Sequence, residues 1–138
     1  PVGVFVPVPP ASRFTNGSPL HGRDPPAGLK TSGGFISLTR DARRSTKIGS
    51  DASSLLWVVE KVMMRIDNPR QAGMEYPDEG SSVEVYTNPD PARYVELETL
   101  GPLHPMKPGT KIEQVNTYTL LPRTGVTPEA EAARAFAR

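Results

Sequence analysis

SSVEVYTNPDPARYVELETL, residues 81–100, alternates apolar and polar side chains on both sides of a proline-rich turn. Successive side chains of a strand point to opposite faces. Val83 and Val85 therefore share one face and Glu84 and Tyr86 the other, while Val95 and Leu97 oppose Tyr94, Glu96 and Glu98. The NPDPA between the two runs carries strong turn signals and is short enough to join antiparallel neighbours. The valine and leucine rows mark a core. The rows of acids and tyrosines mark a face turned toward water, a charged partner or a ligand.

Outward from this stretch, GPLHPMKPGT (101–110) reads as a turn and KIEQVNTYTLL (111–121) alternates again. Three strands so spaced imply an antiparallel sheet with 83–87, 94–100 and 111–121 as neighbours. Upstream, GGFISLTR (33–40) reads as a strand with Phe35, Ser37 and Thr39 on one side and Ile36 and Leu38 on the other. SLLWVVEKVMMRIDNP (54–69) is ambiguous by periodicity. A helix could hold it, but its β-branched and aromatic content and the central Glu60-Lys61 favour a hairpin, with Trp57 in the core.

The two ends differ from the middle. Seven of the first 26 residues are proline, which lacks an N–H and suits neither helices nor central strands. The expectation is an extended, loosely packed arm whose PVGVFVPVPP is at most an edge strand. TPEAEAARAFAR (127–138) has Thr127 as N-cap, Pro128 at the first helical position, early acids and late arginines. It reads as a short, frayed helix. The fold class is thus mainly β: an antiparallel β-sandwich over 33–123, a proline-rich arm over 1–32 and a helical tail over 124–138.

A chain of 138 residues is about one domain. Its net charge of +1 supplies no whole-molecule field toward nucleic acid or an acidic membrane. Arg40, Arg43, Arg44 and Lys47 form a local basic patch, but no aromatic platform interleaves with it, and no nucleic-acid partner is expected. No apolar run reaches the roughly 20 residues a membrane helix needs, so no membrane partner is expected either. Cysteine is absent, and His21 and His104 are the only histidines. Asp78 and Glu79 lack the spacing of a calcium loop. No metal and no cofactor is expected. The start at Pro1, without a signal segment, is read as a processed or cut end of a longer chain.

STKIGSD (45–51) followed by YPDEGSSVEVYTNPDPARYVELETLGPLHPMKPGTKIEQVNTYTLLPR (76–123) resembles the C-terminal half of an uncharacterised bacterial family in the galactose mutarotase-like, or aldose epimerase, superfamily. The resemblance implies a partial or half-length β-supersandwich with a sugar in a cleft on its concave face. It also implies a general base in a late strand within a Leu-Glu-Thr context, which is Glu98 here. Glu96, Glu84, Tyr86 and Tyr94 suit a sugar beside it, because carboxylates accept hydrogen bonds from hydroxyls and aromatic rings stack on C–H faces. Lys47 can reach a ligand oxygen and His104 can donate a proton. The histidines of the epimerases come from their earlier half, so the acid partner stays open.

The expected function is carbohydrate binding of the mutarotase-like type, as a sugar epimerase or part of one. The alternative is a non-enzymatic interaction or structural β-module. A half-length supersandwich exposes strand edges, through which it would self-associate or meet a protein partner.

Overall fold

The computed structural model describes residues 3–22 and 25–137. Positions 1, 2, 23 and 24 of the expected arm and 138 of the expected tail lie outside them. Ten strands and one helix follow in chain order: β1 Gly3–Pro7, β2 Leu20–His21, β3 Lys30–Ser32, β4 Phe35–Leu38, β5 Thr46–Ser50, β6 Ser54–Val58, β7 Val62–Asp67, β8 Val83–Thr87, β9 Val95–Thr99, β10 Thr117–Pro122 and α1 Pro128–Phe136. They form a six-stranded sheet, β10-β7-β6-β1-β4-β3, and a four-stranded sheet, β2-β5-β8-β9. Every pairing is antiparallel. The expected fold class, two antiparallel sheets with a short C-terminal helix, is the observed one.

The core has two layers, one on each face of the six-stranded sheet. Between the sheets lie Val4, Val6, Ile36, Leu38, Ile48, Leu55, Ile66, Val83 and Val85. On the other face Phe5, Leu56, Val58, Met63 and Leu121 pack against Ala132 and Ala135 of α1. This explains the continuous apolar run SLLWV. In β6 consecutive residues must satisfy two different cores, so the alternation of a half-buried strand is lost. The hairpin reading of 54–69 holds, with β6 and β7 paired from Ser54 opposite Asp67 to Val58 opposite Met63 and Val59 N–H bonded to Val62 O at 3.0 Å across Glu60-Lys61.

Three expectations are corrected. First, residues 3–7 are not a loose arm or an edge strand: β1 lies between β4 and β6 with Val4, Phe5 and Val6 buried. Its only proline sits at the strand's end, where no ladder N–H is lost. The chain after it is also anchored, since Asp51 accepts from Ser12 Oγ and Arg13 N–H, both at 2.8 Å. Second, 111–121 does not extend the sheet of β8 and β9. Only Thr117–Pro122 is a strand, and it pairs with β7 in the other sheet. Pro102, Pro105 and Pro108 interrupt the connection, so it cannot close as a tight hairpin on β9. Third, α1 is docked. Thr127 caps it by accepting from Ala130 N–H at 3.3 Å, Phe136 stacks on Phe35 with centroids 5.6 Å apart, and Ala132 and Ala135 are buried.

Among the described residues no helix is long and apolar enough to cross a membrane.

Candidate functional site

The four-stranded sheet turns one face to the core and one outward. The register Glu84 opposite Glu98 and Tyr86 opposite Glu96 sets the acid and aromatic rows of β8 and β9 side by side. On the far side of β8, Lys47 of β5 lies opposite Tyr86 and Gly49 opposite Glu84. His21 of β2 lies opposite Lys47. Side-chain contact brings one ionisable group from each of the four strands into a single chain of charges: His21, Glu84, Lys47 and Glu98.

Glu84 sits in the middle of this row with 1% of its side chain exposed. Lys47 Nζ is 2.5 Å from Glu84 Oε2 and donates to Glu98 Oε2 at 3.2 Å, and His21 Nε2 is 3.5 Å from Glu84 Oε1. Among the described residues neither Glu84 oxygen meets a donor with hydrogen-bond geometry, so the carboxylate is held chiefly by charge. Burial pushes the Glu84 carboxyl above the ordinary carboxylate range, against the lowering influence of Lys47. The Glu84 and Glu98 carboxylates hold the Lys47 ammonium above its usual value, against the opposing effect of burial, with Glu84 the larger cause. Lys47 is thus a fixed cation bridging two acids.

Gly49 makes this row possible. A Cβ at this position would lie 2.2 Å from Ser81 Oγ and 2.8 Å from His21 Nε2. Only a residue without a side chain lets the imidazole lie across β5 to Glu84. The strand is positioned by Ser18 Oγ donating to Gly49 O at 2.7 Å and by Gly49 N–H donating to Pro19 O at 3.4 Å.

Beside the ionic row lies an aromatic corner. The Tyr86 and Tyr94 rings are 6.0 Å apart, and Tyr86 Oη donates to Asn88 Oδ1 at 2.8 Å. Glu96 is exposed next to them. Glu98 and Lys47, with side chains 28% and 35% exposed, are the charged groups of the row that a ligand can touch. Glu84 is closed off beneath them.

Of the residues singled out from sequence, Glu84, Tyr86, Tyr94, Glu96, Glu98 and Lys47 come together on this face. His104 does not: it lines a separate hollow with Asn68, Pro69, Tyr76 and Ile112. Lys47 also leaves the expected basic patch, and within that patch Arg40 pairs with Asp90 at 2.8 Å and Arg44 with Asp41 at 3.4 Å. His21 and Gly49 were missed. β2 is two residues long within a proline-rich stretch, and no periodic signal marks it. No group of three or more His, Asp or Glu among the described residues could hold a metal ion.

No family model, no curated protein and no solved structure matches the chain.

Proposed function

We propose that the protein binds a carbohydrate on the outer face of its four-stranded sheet, in the manner of the mutarotase-like proteins its sequence resembles. The observation that carries this reading is the convergence of Lys47, Glu98 and Glu96 with the Tyr86–Tyr94 pair on one face. Vicinal hydroxyls need both donors and acceptors, which Lys47 and the two carboxylates supply, and a pyranose needs an aromatic surface for its C–H face.

For an epimerase step, mutarotation requires a base for the anomeric hydroxyl proton and an acid for the ring oxygen. Glu98 is the base, since it is accessible and is positioned by Lys47 Nζ donating to it at 3.2 Å. Lys47 is held too firmly protonated to serve as the acid, and His21 Nε2 is buried against Glu84. Glu84 is a positioning residue, closed off from ligand and holding both His21 and Lys47.

Titration of the isotopically labelled protein with D-glucose and D-galactose is expected to shift amides of β5, β8 and β9 saturably. In polarimetry, Glu98→Gln is expected to keep sugar binding and lose about 10²-fold or more of any mutarotation rate. Absence of saturable shifts with either aldose would remove the proposal. Binding without any rate above the spontaneous reaction would leave the binding reading and remove the epimerase step.

A further inference from the structure

The two sheets have four edges. β2 has two residues and β3 has three and begins with Lys30, whereas β10, with six residues and its one proline last, and β9, with five, are long enough to pair further. Short strands, edge lysines and prolines are the usual means of preventing further strand pairing. β9 carries none of these: its five residues, Val95–Thr99, include no lysine, proline or glycine. The ladder to β8 shows which peptide groups it leaves over. Asn88 N–H bonds to Tyr94 O at 3.0 Å and Leu100 N–H to Ser82 O at 2.9 Å. In an antiparallel pair, alternate residues turn both backbone groups toward the partner. Tyr94, Glu96, Glu98 and Leu100 therefore serve β8, and the peptide groups of Val95, Leu97 and Thr99 face the open edge. Gln114 Nε2 takes the Thr99 carbonyl at 3.1 Å. Val95 and Leu97 pair with no further strand among the described residues.

Beside this edge the inter-sheet layer is left uncovered. Tyr118 and Leu120 lie opposite Ile66 and Met64 on β7, which belong to or pack against the core between the sheets. They face the same side, yet are 60% and 70% exposed. Six strands are opposed by four, and no strand of the smaller sheet extends beyond β9 to cover β10. The two features are contiguous: Thr99 Oγ1 donates to Asn116 Oδ1 at 3.0 Å, which ties the end of β9 to the residue before β10. The outward side of the same edge carries Glu96 and Glu98. Glu98 pairs with Lys47 at 3.2 Å, and Glu96 is exposed beside it.

We infer that the open edge of β9 receives an extended segment of another protein, with lysine or arginine alternating with large apolar residues. Added antiparallel to β9, such a segment bonds to the Val95 and Leu97 peptide groups. Its apolar side chains turn inward over Tyr118 and Leu120, and its basic side chains lie outward beside Glu96 and Glu98. Backbone pairing supplies affinity and the alternating side chains supply selectivity, as in β-strand addition generally. Pairing of β9 with its own copy is disfavoured, because it sets Glu96 and Glu98 against their counterparts, and like charges directly opposite are destabilising. This inference uses the edge and inner side of the sheet and shares Glu96 and Glu98 with the carbohydrate reading without resting on it.

The test uses capped synthetic peptides of alternating valine and lysine, valine and glutamate, and serine and lysine, added to the isotopically labelled protein. The valine–lysine peptide is expected to shift the Val95 and Leu97 amides saturably, slow their hydrogen exchange and shift the Tyr118 ring resonances. The valine–glutamate peptide is expected to bind at least about tenfold more weakly, since each outward cross-strand pair turns from attraction to repulsion, and Glu96→Lys is expected to narrow that gap, since it switches the sign of one pair and leaves Glu98 as it is. Methylating the peptide nitrogens that face β9 should abolish binding while keeping charge and apolar surface. No saturable change at Val95 and Leu97, equal binding of the serine–lysine or the methylated peptide, or a dimer closing this edge in light scattering without peptide would each overturn the inference.

Discussion

Glu84 is the residue on which the outer face depends. It is a strand carboxylate pointing away from the core, the kind usually solvated, yet it is 1% exposed beneath His21, Lys47 and Glu98. Removing one partner of a buried charge is costly because the other is left uncompensated. Lys47→Met is therefore expected to destabilise the fold by about 3 kcal/mol at neutral pH, read by urea denaturation, and Lys47→Met with Glu84→Leu to restore most of the loss. The pH dependence has a defined sign. The raised Lys47 pKa means its contribution is fully present below 10.5 and is lost as pH rises through the folded value. The raised Glu84 pKa means the folded state binds its proton more tightly than the unfolded state does, so its contribution is lost as pH rises through the folded value from 4.5. Without Lys47 that value moves higher still, so the penalty of Lys47→Met should shrink on mild acidification. A penalty independent of pH would show that Glu84 does not carry the charge. The outward direction of Glu84 was legible from the alternation VEVYT. Its burial was not, because the groups that cover it come from residues 21 and 47.

At the scale of elements, helix α1 shows how local signals and packing combine. The Thr127 cap and Pro128 start are written in TPEA, but the docking depends on a buried acid. Glu131 accepts from Thr124 N–H at 2.5 Å, Gly125 N–H at 3.2 Å and Arg134 Nη2 at 2.7 Å. Burial opposes its charge, but Arg134 and the Thr124 N–H outweigh that and hold its carboxyl below the ordinary range. Arg123 continues the tie to the β6–β7 turn by donating to Val59 O at 3.1 Å. Ala132 and Ala135 are small because the helix lies close on the sheet. Ala132→Leu is expected to cost about 2 kcal/mol through overpacking, whereas Ala133→Leu, on the exposed side, should stay within about 0.5 kcal/mol. Thermal and urea unfolding of the two variants compares them directly. Equal small effects would mean that the helix rests on the sheet without close packing.

For the whole molecule, the position of β1 matters most. The first described strand fills the gap between β6 and β4, its Val4 and Val6 facing one core layer and Phe5 the other. Amides of β1 are therefore expected to exchange only with global unfolding, as slowly as those of β6, in hydrogen exchange followed by mass spectrometry. Fast exchange at residues 3–7 with slow exchange at 54–58 would place β1 outside the cooperative unit. The proline content of this region pointed the other way. Composition averages over a stretch, whereas a strand needs only that its prolines avoid the positions that donate to the ladder, and in GVFVP the single proline is last.

Local chemistry alone determined the strands 83–87 and 95–99, the helix with its cap, and the directions in which Glu84, Tyr86, Glu96 and Glu98 point, and it favoured the hairpin over 54–69. Each of these depends on backbone stereochemistry and near neighbours, which a short stretch of sequence contains. Only the tertiary structure decided that β10 joins the other sheet, that β1 is central and that His21 meets Glu84. Alternation states that a strand has two unlike faces and not which edge it will pair with. Those pairings join residues tens of positions apart, and they follow from which faces and edges are left to be covered once the local elements have formed.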